Sequence, residues 1–194
     1  MARLPGRALV RIERLSAVAR PVAPGYRRPS LVIDYDERPV VGVRADAVRL
    51  CGDAPTMDQL RVFVDRYIEH KDMARGFDIA SQVARRKEGD CSEHAVLLAA
   101  LGRSFGYPSR VVLGLVVLPI GGAFRAFGHA WVEYHDGTRW RVSDAAVPPE
   151  AEPRYVPMQI LGDESAAFAR YMLETPGGIV VVRRVILDPV PTRN

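Results

Sequence analysis

Cysteine is scarce in this sequence: two residues among 194, Cys51 and Cys91. Two thiols cannot build a disulfide scaffold, and no His, Cys, Asp or Glu set has the spacing of a zinc site. The longest apolar run, Val111 to Ile120, contains Gly114 and Pro119 and reads as a strand. It falls well short of the roughly 18–20 residues that a membrane helix needs. Near the start, Ala8-Leu9-Val10 is interrupted at once by Arg11, so no signal peptide is expected. No glycine-rich phosphate loop follows a strand, and there is no serine elbow. The net charge of +4 sits on scattered basic pairs such as Arg27-Arg28 and Arg183-Arg184. Without clustering or interleaved aromatics this is a solvated face, not a nucleic-acid footprint. No cofactor, metal, nucleic acid or membrane is therefore expected as a partner.

What remains is an ordinary globular composition, 48% hydrophobic and 26% charged, in a chain long enough for one real core. Residues 1–55 read as an N-terminal extension with short strands: one near Ala8–Ile12, then a hairpin of Leu31–Tyr35 and Val40–Val43 about a turn at Asp36-Glu37-Arg38-Pro39. Residues 56–194 read as the main domain. Thr56 and Gln59 form a capping box, and Leu60, Phe63, Val64 and Tyr67 follow at helical spacing to about Lys71. A second helix is predicted over Asp78 to Lys87, and strands over Arg110–Ile120 and Ile179–Leu187, with a short helix over Ser165–Leu173. There is no internal repeat.

The most apolar helix opens at Gly89-Asp90-Cys91-Ser92-Glu93-His94-Ala95. Asp90 is a good N-cap, with Glu93 three residues on. Gly106 and Pro108 mark the stop. Being apolar all round, this helix should be buried. Cys91 falls in its first turn, where unpaired N–H groups and the dipole favour a thiolate near neutral pH. It reads either as such a reactive thiol or as one more small core residue.

Asp136-Gly137 is a two-residue turn signal between strand-like runs. With the turn centred there, His129 lies opposite Asp144, where Cβ atoms of a direct pair are about 4.5–5.5 Å apart. Trp131, Glu133, Trp140 and Val142 share that face, which makes Trp131 a candidate supporting residue beside the histidine. A carboxylate behind an imidazole fixes its tautomer and supports the imidazolium, which a Cys–His pair needs. The same pairing also fits a purely structural cross-strand contact. His94, one helical turn from Cys91, is a rival base without a carboxylate of its own and reads better as a supporting residue. His70 and His135 offer less.

These residues resemble the transglutaminase-like superfamily, a papain-like α+β branch with a Cys-His-Asp triad. The resemblance rests on the Gly89–Ala95 motif, on Leu98-Ala99-Ala100-Leu101-Gly102-Arg103, and on Gly106-Tyr107-Pro108-Ser109-Arg110-Val111-Val112-Leu113-Gly114. It continues in Gly128-His129-Ala130-Trp131-Val132-Glu133 and Trp140-Arg141-Val142-Ser143-Asp144, so it covers about residues 57–147. It implies N-terminal helices, with the nucleophile helix packed on an antiparallel sheet. It also implies Cys91 as nucleophile, His129 as base and acid, and Asp144 as orienter. For the oxyanion it suggests the backbone N–H of Cys91, with Gln82 as a side-chain candidate. Family members usually carry Asp-Pro where this chain has Asp144-Ala145, and the calcium sites of the animal enzymes are not recognisable.

The implied chemistry is acyl transfer through a Cys91 thioester. The amide attacked is a glutamine side chain, a peptide bond or an isopeptide of a protein or peptide substrate, and the outcome is hydrolysis or transamidation. The alternative is a non-catalytic binding module that keeps the fold. A nucleophile that must stay reduced points to the cytoplasm.

Overall fold

The computed structural model describes residues 22–71 and 78–161. The expected strands near Ala8–Ile12 and over Ile179–Leu187, and the helix over Ser165–Leu173, lie outside them. Four helices, α1 (Arg38–Cys51), α2 (Met57–Tyr67), α3 (Ala80–Arg86) and α4 (Cys91–Ser104), precede strands β1 (Ser109–Ile120), β2 (Ala123–His135), β3 (Trp140–Ser143) and β4 (Arg154–Leu161). The strands form one antiparallel sheet in the order β3-β2-β1-β4. This is the expected α+β class.

The centre is α4. Every residue from Ser92 to Arg103 is buried, and the helix packs on β1 and β2 on one side and on α2 and α3 on the other. Its end is a Schellman closure. Tyr107 N–H donates to Gly102 O at 2.9 Å and Gly106 N–H to Arg103 O at 2.9 Å. Gly106 supplies the required left-handed φ of 87°. Val111, Leu113, Ala130 and Val132 join the same core from the sheet.

The hairpin expected at 31–43 is wrong. Val40 and Val43 lie on α1, not on a strand. Val40, Val43 and Ala47, at helical spacing, are buried at 0%, 2% and 0% exposure. Pro39 sits in the first turn, where its missing N–H has no partner to lose. The burial of one helical face outweighed the strand propensity of the valines. The capping box on α2 is present as read: Thr56 Oγ1 accepts from Gln59 N–H and Gln59 Oε1 accepts from Thr56 N–H.

Candidate active site

The first turn of α4 is held rigidly. Asp90 Oδ1 accepts from Ser92 N–H at 2.8 Å, and Glu93 Oε2 accepts from Asp90 N–H at 3.0 Å. Glu93 is 2% exposed, and its other oxygen accepts from Asp78 N–H at 2.9 Å, which ties this turn to the start of α3. Burial raises its pKa. Gly89 precedes the turn at φ 147°, and a Cβ there would lie 2.3 Å from Glu93 Cβ. Cys91 is the first helical residue and partly exposed. Among the described residues its amide N–H has no acceptor.

His129 enters from β2. Its Nε2–H donates to Asp144 Oδ2 at 2.7 Å, and the Cys91 side chain lies close enough to the ring to raise its pKa. Since Nε2 is taken by the carboxylate, Nδ1 is the nitrogen left for the sulfur. The His129 and Asp144 side chains are 6% and 4% exposed. Burial pulls the imidazole pKa down, but the hydrogen bonds to Asp144 and Cys91 and their charges outweigh it. The pKa is pushed up to about 9, so at neutral pH the ring carries a proton on each nitrogen.

The expected strand register is off by one residue on each strand. The pairs are Val132 with Ser143 and His135 with Trp140. The central turn residues are Gly137-Thr138, closed by Asp136 N–H donating to Arg139 O at 3.1 Å. Gly137 has φ 100° and takes the first central position, where a type II′ turn places its glycine. Asp136 instead stands before the turn, with Oδ1 accepting from Thr138 N–H at 2.8 Å and Arg139 N–H at 2.9 Å. His129 is therefore not opposite Asp144. Continued past its end, this register would set Trp131 opposite residue 144, with His129 on the diagonal. The slip moves each partner by two, which preserves the faces. A diagonal of about 7–8 Å stays within reach of an imidazole.

Gly114 pairs directly with His129. A Cβ at Gly114 would lie 2.8 Å from Trp131 Cη2 and 2.1 Å from Val156 O, so its absence makes room for the indole. Trp131 is 1% exposed, and its ring stacks at 6.3 Å from that of His129. Its Nε1 has no hydrogen-bond partner among the described residues.

His94 is fixed elsewhere. Its Nδ1–H donates to Asp90 O at 2.6 Å, and its Nε2 has no partner among the described residues. At 1% exposure, burial lowers its pKa, with Lys71 adding to the fall against Asp90, Asp65 and Asp144. It is thus a neutral brace for the turn that carries Cys91. Gln82 lies on α3, partly exposed, with no side-chain hydrogen bond among the described residues.

Sequence reasoning missed Tyr155. This β4 residue donates its hydroxyl to Asp144 Oδ2 at 2.8 Å. Its ring lies 5.0 Å from Trp131 and 6.4 Å from His129. Burial, then the charge of Asp144, raises its pKa far above the usual phenol range. The only sequence signal was a short strand-like run after Pro153, too weak to assign a partner.

Among the described residues no three His, Cys, Asp or Glu side chains are grouped to hold a metal ion, and no helix is long and apolar enough to cross a membrane.

The sequence model of the transglutaminase-like superfamily matches residues 56–145. A solved candidate cysteine protease from Cytophaga hutchinsonii is similar in fold, with TM-score 0.54 and 19% identity over 73% of this chain and 47% of that one. The periplasmic domain of TgpA from Pseudomonas aeruginosa, solved bound to ethylmercury, matches at TM-score 0.39 and 26% identity, over 57% of this chain and 46% of that one. The chain spans about half the length of these structures. A search of curated proteins returned no match.

Proposed function

From a transglutaminase-like core in which α4, β2 and the end of β3 bring sulfur, imidazole and carboxylate together, we infer a cysteine acyl-transfer enzyme. It acts on an amide of a protein or peptide through a Cys91 thioester. The carrying observation is the contact chain Cys91–His129–Asp144, with 2.7 Å between Nε2 and Oδ2.

The protonated His129 ring stands beside the sulfur. Sulfur attacks the amide carbonyl, and the negative oxygen that forms is taken up by the free N–H of Cys91 at the positive end of α4. The partly exposed amide of Gln82 is the side-chain candidate for the same task. His129 gives a proton to the departing amine, which leaves a thioester and a neutral ring. The sulfur charge that had helped hold that proton is now gone, so the ring becomes a better base. It takes a proton from water or an incoming amine, which attacks the thioester and frees the thiolate. Water gives hydrolysis, and an amine gives transamidation.

A non-catalytic module would have no physical use for a partly exposed thiol facing a protonated imidazole. Both cysteines are free, and a reducing compartment such as the cytoplasm would keep Cys91 competent. The test incubates wild type and Cys91→Ala with a mixed peptide and amine library, followed by mass spectrometry. The expected result is an acyl adduct on Cys91 and cleaved, deamidated or crosslinked products, all missing from Cys91→Ala. Products that persist in Cys91→Ala, or a wild type with neither adduct nor product, would defeat this function.

A further inference from the structure

We propose that Tyr155 is a positioning residue of this site, a fourth group that acts on His129 through Asp144; the proposal rests on the acyl-transfer reading above.

Asp144 Oδ1 accepts from Ala146 N–H at 2.9 Å and Val147 N–H at 3.1 Å. Those amides hold one end of the carboxylate in place. Oδ2 is shared: His129 Nε2–H donates at 2.7 Å and Tyr155 O–H at 2.8 Å. Two donors on one oxygen divide its charge, so each is held less strongly than it would be alone. The hydroxyl therefore weakens the hold of Asp144 on the imidazolium. An acid–base group that must give up its proton to a leaving amine benefits from that moderation.

The backbone places Tyr155 there by a specific device. At the far end of the β1–β4 ladder Val111 pairs with Leu161 and Leu113 with Gln159. Carried on unbroken, that register would pair Val117 with Tyr155 and turn the phenol to the face away from His129. Instead the register shifts between Leu113 and Gly114, so that Gly114 pairs with Pro157 and Val116 with Tyr155. Met158 is the extra residue, 61% exposed. One bulge thus keeps Leu161 in the core and flips Tyr155 onto the side of Gly114 and His129, a known use of bulges near reactive sites. The groups that act electrostatically on this network come from several sides: Cys91 and His94 on α4, Asp144 after β3 and Arg61 on α2.

The test is Tyr155→Phe in the full chain, which keeps the ring against Trp131 and His129 and removes only the hydroxyl. The His129 titration is followed by NMR, with His129→Gln identifying the resonance. The expected result is an upward shift of about half a pH unit to one unit, the scale of part of one hydrogen bond to a charged group. In the peptide assay kcat falls while KM holds. An unchanged or lowered His129 titration would overturn the proposal, since a merely structural hydroxyl leaves it where it was. Failure of acyl transfer itself would show as no adduct on Cys91, with the titration shift intact.

Discussion

Asp144→Asn separates the charge of this carboxylate from its shape. The new side chain is isosteric, but only one of its two ends can accept. Ala146 and Val147 N–H both point at Oδ1, so the amide oxygen must take that end. The NH2 group then faces His129 Nε2 and the Tyr155 hydroxyl. An NH2 donor beside Nε2 needs a lone pair there, which forces the remaining ring proton onto Nδ1, toward the sulfur. The ring is then neutral in the tautomer that cannot serve as base. The magnitude follows from the His129 pKa of about 9 against 6.5, a preference for imidazolium of about 3 kcal/mol in the folded chain. Without the hydrogen bond and charge of Asp144, burial is opposed by Cys91 alone, and His129 should titrate well below 9. The same substitution beside a catalytic histidine in serine proteases removes about 10⁴ in rate, and a loss on the order of 10³–10⁴ is expected here.

Stability gives an independent assay that needs no substrate. A histidine whose folded pKa lies above its unfolded value stabilises fully below about pH 6.5. That contribution is lost as pH rises through about 9. Urea unfolding of wild type should therefore weaken by up to about 3 kcal/mol across this window from His129. In Asp144→Asn that component should shrink. NMR should show the His129 titration falling well below 9. A variant ring that still titrates near 9, or a pH slope of stability equal to that of wild type, would refute the electrostatic account of the site.

Two further substitutions probe the scaffold. Gly114→Ala places a Cβ 2.1 Å from Val156 O and 2.8 Å from Trp131 Cη2; because one of these atoms is backbone, the strand must move. A loss of about 2–3 kcal/mol in urea unfolding is expected, along with a displaced His129 ring that reacts more slowly. Glu93→Gln leaves one acceptor where Asp78 N–H, Asp90 N–H and Ser92 Oγ–H all donate. An NH2 facing a buried N–H should cost about 1–3 kcal/mol. The pH dependence above 4.5 that comes from the raised Glu93 pKa should disappear with it. Glu93 favours its protonated form on folding, so its ionisation weakens the wild type as pH rises from below 4.5, a trend the variant should lack.

Local chemistry made much of this molecule legible in advance. Caps and stops are short-range: Asp90, Glu93, Thr56, Gln59 and Gly106 act within a few residues of themselves, and the helix ends fell where they predicted. Cys91, His129 and Asp144 could be singled out because a helix start and a strand–turn–strand pattern each have a period that fixes which side chains share a face. Periodicity fixes a face but not a register. The hairpin turned at Gly137-Thr138 because Asp136 was drawn off to cap the turn, and two central pairs one residue apart look alike in sequence. In α1, Val40, Val43 and Ala47 showed their helical face only once there was a core to bury it. Tyr155 was beyond reach of any local reading. It comes to Asp144 from the far side of β1, its facing decided by a bulge at Met158 that exists only in the pairing of two strands. The sequence by itself thus determined which groups stand ready for chemistry, and tertiary structure decided how the charge among them is shared, because hydrogen bonds between distant strands depend on register.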